Sequence, residues 1–247
     1  MEDFWTAPGA VPGIVTEASG YLAVYKPPRM HTAPLREGEG GTLLAWTAER
    51  FPEVSAVQYG RHKALEGGLL HRLDYETHGL ILVARTRETG ENFAAQQERG
   101  LLVKEYEAYS EGPGILPPGF GPFSGELFPG PFRIESRFRP YGPGRKQVRP
   151  EADTDNNAGI RRAAKYVTEG KSLPFMNGRY FFLRILRGFR HQIRCHLAWA
   201  RWPLVNDGVY GGKKSSGGPE PFLALRASAL EFTDPRSGER KRVVLGT

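Results

Sequence analysis

"HRLDYETHGLILVA", residues 71–84, places His71, Arg72 and Asp74 side by side and then runs straight into an apolar segment. The polar half reads as a loop. Leu80 to Ala84 reads as a strand, because a short continuous apolar run bounded by polar residues and a glycine suits a strand covered on both faces. A carboxylate at the mouth of such a strand tends to protonate unless something compensates it. An arginine partner lowers its pKa by roughly 1–3 units and keeps it charged at neutral pH. Arg72 and Arg194 are both able to serve. An ionised and oriented Asp74 has the chemistry of a nucleophile or a base.

Upstream, "GYLAVYKPPRMHTAP" begins as a strand, Tyr21 to Tyr25, which Pro27 and Pro28 stop. "GTLLAWTAERFPE" predicts a helix capped by Thr42, with Leu44, Ala48 and Phe51 on one face and Pro52 at its end. Downstream, "RETGENFAAQQERG" predicts a short helix closed by Gly100. "LLVKEYEAYSEG" alternates as a strand, with Lys104, Tyr106 and Ala108 on one side and that face partly wetted by Lys104 and Glu105. A Pro- and Gly-rich stretch from Pro113 to Phe132 reads as loop or irregular hairpin, and residues 142–160 as a mobile surface loop.

"RYFFLRIL" reads as a strand, and "HQIRCHLAWAR" as a helix that buries Ile193, Leu197 and Ala200 and leaves Arg194 on another face, free to point into a site. The tail reads as strand, turn at Asp234 to Gly238, and strand. Strands dominate without regular βαβ alternation. The expected fold is α+β, on one mixed, mainly antiparallel sheet with short flanking helices. A single domain over residues 1–247 is expected, with residues 1–20 as an N-terminal extension.

The chain has 247 residues, 39% hydrophobic and 25% charged, with a formal net charge of +7. No apolar run approaches the roughly 20 residues that span a bilayer. The start is acidic and broken by Pro and Gly, unlike a signal peptide. A lone cysteine, Cys195, excludes an intrachain disulfide and a cysteine-rich metal cluster. A cytosolic location follows as the simple expectation. Positive charge favours polyanionic partners. Between Arg184 and Arg201 lie five arginines and two histidines with no acidic residue, and Phe189, Trp199 and Trp202 accompany them. Arginines beside aromatics suit phosphate contact and base stacking better than a membrane surface. His191 and His196 are spaced i, i+5 and fall on different helix faces, which argues against a metal site. "VYGGKK" lacks the spacing of a phosphate-binding loop.

Several motifs together go further. "HRLDYETHGLILVA" resembles the His-Arg-Leu-Asp-x-x-Thr-Ser-Gly-Leu motif of the RluA-type pseudouridine synthases. "VKEYEAYSEG" is similar to that family's Lys-x-Tyr strand. "RGFRHQIRCHLAWARWPLVNDGVYGG" is similar to its Gly-Arg-Thr-His-Gln-Ile-Arg-x-His segment and the Gly-Asp-x-x-Tyr-Gly that follows. "VYKPPRMHTAP" and "FLALRASALEFTDPRSGE" match in kind and order, so the resemblance runs from about Tyr21 to Glu239.

The resemblance implies an enzyme that converts uridines of structured rRNA or tRNA to pseudouridine, as a monomer, with no cofactor and no metal. It implies Asp74 as the catalytic carboxylate, Arg194 as its partner, and Tyr106 stacking on the base and taking its C5 proton. It places Arg72 on the RNA to hold the base out, and Leu225 beside the base. His71, Arg190 and His191 complete the expected substrate contacts. Many relatives carry an N-terminal S4-type RNA-binding domain; none is expected ahead of Tyr21, which leaves target selection to the catalytic domain.

Four departures bear on the substrate. Thr-Ser-Gly becomes Thr77-His78-Gly79, and Phe189 replaces an arginine, with Arg190 one position later. Leu-His-Ala becomes Leu225-Arg226-Ala227, and Gly-Asp becomes Asn206-Asp207. The alternative is an RNA-binding or RNA-chaperone protein of the same fold without activity, for which a carboxylate near phosphates has no use. A glycosidase wants a second acid paired with Asp74, and none is evident.

Overall fold

The computed structural model describes residues 9–60, 65–151, 164–214 and 222–246. In chain order the elements are β1 (Gly13–Glu17), β2 (Tyr21–Lys26), α1 (Leu43–Ala48), α2 (Glu53–Ala56), β3 (His78–Ala84), α3 (Arg87–Glu98) and β4 (Val103–Ser110). Then follow β5 (Phe132–Tyr141), β6 (Gln147–Glu151), β7 (Tyr166–Phe175), β8 (Gly178–Ile185), α4 (Gln192–Trp199), β9 (Leu225–Thr233) and β10 (Arg240–Val244). The architecture is α+β, with mixed and mostly antiparallel strand pairing. The chain divides into two compact units, residues 1–105 with 226–247, and residues 106–225.

In the first unit the strand order is β1-β2-β3-β9, with β10 also on β9. Every residue of β3 is buried, as its unbroken apolar run requires. Beside it, β2 is antiparallel and pairs Tyr21 with Ala84 and Lys26 with Gly79. On the other side β9 runs parallel, with His78 opposite Arg226 and Gly79 opposite Ala227. Gly79 has φ +125°, and a Cβ there would lie 2.3 Å from the Ala227 carbonyl oxygen, so only glycine lets β9 approach. Tyr21, Phe93 and Phe232 form an edge-to-face trio in the core, at centroid separations of 5.6, 5.2 and 5.2 Å.

Local signals place the helices. Thr42 Oγ1 accepts from Ala45 N at 3.2 Å and starts α1, which stops at Ala48 rather than running to Pro52. Pro52 instead opens α2, where its missing N–H costs nothing. Thr86 caps α3 in the same way, and Gly100, at φ +70°, closes it. The tail turn is held by Asp234 Oδ1, which accepts from Arg236 N and Ser237 N.

In the second unit β8-β7-β5-β6 are consecutive antiparallel neighbours. Along β8, Phe181, Leu183 and Ile185 are buried while Phe182 and Arg184 are exposed, the alternation of a half-covered sheet. All eight residues of α4 are buried, Arg194 included, so the helix has no free face.

Three expectations change. Residues 1–20 are more than an extension, since Gly13–Glu17 pairs with β2. The stretch expected as a loop from 142 to 160 holds a short 3-10 turn at Pro143–Arg145 and strand β6, paired with β5; residues 152–160 lie outside the described residues. Lys104 does not wet its face. It is 3% exposed, and burial pushes its pKa down to about 8.

Candidate active site

Asp74 sits on the loop 71–77 that delivers the chain to β3, and this loop is pinned at nearly every residue. Leu70 N donates to Leu82 O at 3.0 Å, and Leu82 N donates to His71 Nε2 at 3.3 Å. Thr32 Oγ1 donates to Leu73 O at 2.9 Å and accepts from Leu73 N at 3.1 Å. Thr77 N closes a turn onto Asp74 O at 3.1 Å. A buried ammonium, Lys26 Nζ, reaches Tyr75 O at 3.3 Å. The Asp74 side chain is partly buried. His71 Nδ1 and Thr77 Oγ1, at the two ends of the loop, are buried without a hydrogen-bond partner among the described residues. Folded proteins leave few such atoms, and functional sites hold many of the exceptions.

Arg72 is exposed and meets Glu66 at 3.0 Å. Such a surface pair contributes at most about 1 kcal/mol, so the arginine is easily recruited elsewhere. Arg29 meets Glu76 at 3.8 Å. Burial, then the Arg226 and Lys26 charges, holds the His78 ring down to about 3. Burial and the Lys104 charge hold His71 well below the ordinary histidine range. Both rings are therefore neutral at pH 7.

The second unit carries the other expected residues. Arg194, on α4, grips Asp207 through Nε and Nη2, both at 2.8 Å. The pair is almost fully buried, at 5% and 0% side-chain exposure. Asp207 Oδ1 also accepts from Val209 N at 2.9 Å and Tyr210 N at 3.1 Å, so the carboxylate is held from two directions. Tyr210 places its ring 5.6 Å from the guanidinium and ties its hydroxyl to the backbone of Val148.

His191 adopts a left-handed conformation, φ +56°, at the start of α4 and turns Nδ1 to the Tyr210 hydroxyl at 3.1 Å. Arg190 Nη2 donates to the carbonyls of Arg145 and Gln147. Phe189, in place of an arginine, stacks on Phe138 with centroids 5.0 Å apart and planes 7° from parallel. Tyr106 and Leu225, both buried, stand where the chain enters and leaves this unit.

Two buried charged groups escaped the sequence reading. Asp207 was visible only as part of "NDGVYGG", with no role; the usable signal was that an arginine inside an apolar helix needs an anion. Lys26 read as the end of a strand, with nothing to show that its ammonium stays inside.

His196 is wholly buried between Ser136 Oγ, 2.9 Å from Nε2, and Thr168 Oγ1, 2.8 Å from Nδ1, and burial holds its pKa down to about 3. A neutral ring donates at one nitrogen and accepts at the other, which these hydroxyls satisfy. The unfolded chain binds protons at these histidines below about pH 6.5, and the folded chain does not until about pH 3. Stability is therefore lost as pH falls through that window, by about 1.4 kcal/mol per pH unit for each histidine once its unfolded form is charged. Urea denaturation at pH 7, 5.5 and 4.5 is expected to show a steep acid limb that His196→Gln makes shallower. Equal limbs in the two proteins rule out His196 as a contributor.

Among the described residues no helix is long and apolar enough to cross a membrane, and no group of three His, Cys, Asp or Glu side chains is placed to hold a metal ion.

Residues 20–199 match a family model described as RNA pseudouridylate synthase. The chain is 29% identical over 237 residues to the ribosomal large subunit pseudouridine synthase D of Neisseria meningitidis serogroup B, covering 92% of this chain and 55% of that protein. It is 26% identical over 249 residues to the protein of the same name from Pseudomonas aeruginosa, covering 96% and 69%. The chain thus spans between about half and two thirds of these relatives' lengths. Two solved structures share the fold. Human RNA Pseudouridylate Synthase Domain Containing 1 has a TM-score of 0.62 at 21% identity, covering 98% of this chain and 86% of that one. Human RNA Pseudouridylate Synthase Domain Containing 4 has 0.60 at 19%, covering 95% and 88%.

Proposed function

Since the chain belongs to the RNA pseudouridylate synthase family, we propose that it isomerises selected uridines of ribosomal RNA to pseudouridine, with Asp74 as the reacting carboxylate. The observation that carries this is a loop fixed by five hydrogen-bonding residues around one partly buried aspartate with a buried ammonium nearby. Relatives named for the large ribosomal subunit favour rRNA over tRNA as the substrate.

The chemistry asks for little else. The uridine leaves its stack at a cost of a few kcal/mol. Stacking on Tyr106 returns roughly 1–3 kcal/mol. The N1–C1′ bond breaks with its electron pair going to N1. Asp74 either bonds to C1′ or takes the 2′ proton to give a glycal. The detached uracil turns and C5 bonds to C1′, as the Asp74–C1′ bond breaks in the first route or Asp74 returns the proton to C2′ in the second; the C5 proton passes to a base, for which Tyr106 is the candidate, while N1 is protonated. Atoms and oxidation state are conserved, so the reaction needs no redox cofactor.

In this scheme Arg194, one edge of whose fork Asp207 holds, is the arginine partner of the Asp74 carboxylate. Arg72 trades its surface partner for RNA. His71, Arg190, His191 and Leu225 line the substrate side in this scheme. The two compact units act as one catalytic domain in a monomer, in the cytoplasm with its RNA.

The test is conversion in vitro. Large-subunit rRNA transcribed without modifications is incubated with the purified protein, and pseudouridine is mapped by chemical adduct and reverse transcription. One or a few uridines are expected to convert. Conversion of tRNA alone overturns the substrate, and conversion of neither overturns the activity.

A further inference from the structure

In "RGFRHQ", residues 187–192, one large apolar ring stands between two arginines just ahead of α4. Arg187, Gly188 and Arg190 are exposed, and Phe189 itself is only partly covered. The ring closes a column that starts in the core of the second unit. His196, on α4, is wholly buried. Phe138, on β5, lies 4.9 Å from it at a tilt of 30°. Phe189 lies 5.0 Å beyond Phe138, within 7° of parallel. Tyr166, on β7, leans on both phenylalanines, at 5.0 Å from Phe189 and 5.8 Å from Phe138. Phe138, Tyr166 and Phe189 are all partly exposed, so flat rings in one stack reach the surface together.

The backbone that carries the last ring is fixed. Phe189 N donates to Gln192 Oε1 at 2.9 Å, and Phe189 O accepts from Gln192 N at 3.0 Å. Gln192 Nε2 in turn donates to Val167 O at 2.9 Å and to Thr168 Oγ1 at 3.2 Å, which ties the turn to β7. A ring held in this way costs little further ordering when a ligand arrives. Its surroundings are cationic. Arg190 Nη2 is anchored on the Arg145 and Gln147 carbonyls, so its charge stays one residue from the ring. No acidic residue occurs between Arg184 and Arg201. A leucine would cover Phe138 equally well. A flat ring among arginines suits a polyanion that itself carries flat rings, which is single-stranded nucleic acid.

We propose that Phe189 is a stacking subsite for one unpaired base of the RNA, a base other than the uridine that is isomerised, with Arg187 and Arg190 meeting the phosphates beside it. This rests on the reading of the protein as an enzyme acting on ribosomal RNA. Every base has a flat face, so the subsite accepts all four. A base held in a duplex has that face covered by its neighbours, so the subsite rejects paired nucleotides. Phe189 thus selects for RNA structure near the target and not for its sequence.

The experiment uses a short fragment of large-subunit rRNA centred on a uridine that the intact protein converts, together with copies of it made abasic at one position at a time. Kd is measured by filter binding at fixed salt for the intact protein, Phe189→Leu and Phe189→Tyr. Leucine keeps apolar volume over Phe138 and loses the flat face; tyrosine keeps both. One position besides the target is expected where losing the base weakens the intact and Phe189→Tyr proteins by roughly 5–150-fold. At that position Phe189→Leu is expected to change by less than about twofold, the non-additivity of two groups in contact. Swapping the base there for another is expected to have little effect, and pairing it with a complementary strand to weaken binding as base loss does. The dependence of Kd on salt is expected to be the same for Phe189→Leu as for the intact protein, since stacking releases no counterions. The proposal is overturned if no position behaves in this way, if Phe189→Leu binds the complete fragment as tightly as the intact protein, or if its loss of affinity is matched by loss of folded fraction in a thermal melt. Conversion separates the two levels. If no rRNA fragment is converted by the intact protein, the functional reading has failed and the subsite falls with it; if conversion occurs without a position coupled to Phe189, only the subsite has failed.

Discussion

Replacing Asp74 with asparagine is expected to abolish pseudouridine formation, lowering single-turnover conversion by at least roughly a thousandfold, because the reacting oxygen loses both its charge and its basicity. The substitution is nearly isosteric. The turn it sits in is closed by the Asp74 carbonyl accepting from Thr77 N, a bond the side chain does not make. The loop is therefore expected to keep its shape, and melting to stay within a few degrees. RNA affinity should hold or rise slightly, since one negative charge leaves a chain of net charge +7. Filter binding at fixed salt, run beside the conversion assay, reads both quantities. Conversion within tenfold of the intact protein rules out Asp74 as the reacting carboxylate. Loss of binding and conversion together points to a damaged loop.

The second large effect concerns a different carboxylate. Asp207→Asn turns one side of a two-point grip on Arg194 into a donor facing a donor and leaves a buried guanidinium short of an anion. Breaking such a pair from one side destabilises by about 3–5 kcal/mol. For a chain of this size that is a fall in Tm of roughly 6–20 °C. Activity is expected to fall as well at temperatures where the variant is folded, because the guanidinium is no longer aimed. Removing both charges, as Arg194→Met with Asp207→Leu, is expected to recover much of the Tm and none of the activity, since a matched apolar pair is often as stable as a buried ionic one. Differential scanning calorimetry and the conversion assay on the three proteins decide it. An Asp207→Asn protein that melts within about 2 °C of the intact one means the pair is not what holds this segment.

What could be read in advance followed the range of the forces involved. Thr42, Thr86 and Gly100 act within one helical turn, and α1 and α3 begin or end near them as spacing predicts. The β3 run is apolar throughout because it is covered on both faces. By contrast β5, "FRIESRFRPY", alternates Phe132, Ile134 and Ser136 with Arg133, Glu135 and Arg137, and the dense charge on its open face obscured the period. Among the candidate residues, Asp74 and Arg194 were singled out through motifs. The anion that grips Arg194 is 13 positions away along the chain, and Lys26 meets the Asp74 loop from 49 positions away. Such pairings have no local period. They appear only when burial is known, because burial makes a charge demand a partner.

The parallel contact of β3 with β9 has a consequence for synthesis on the ribosome. The first unit closes only when residues 226–247 join residues 1–105. Until then the whole second unit must be translated while the His78–Gly79 end of β3 waits for its neighbour. A nascent chain in that interval leaves His78 and Gly79 of β3 unpaired and the Tyr21–Phe93 core without Phe232, the kind of surface that recruits chaperones or aggregates. The loop bearing Asp74 leads directly into that strand, so a ribosome that stalls before β9 releases a chain whose proposed reacting residue has no finished scaffold.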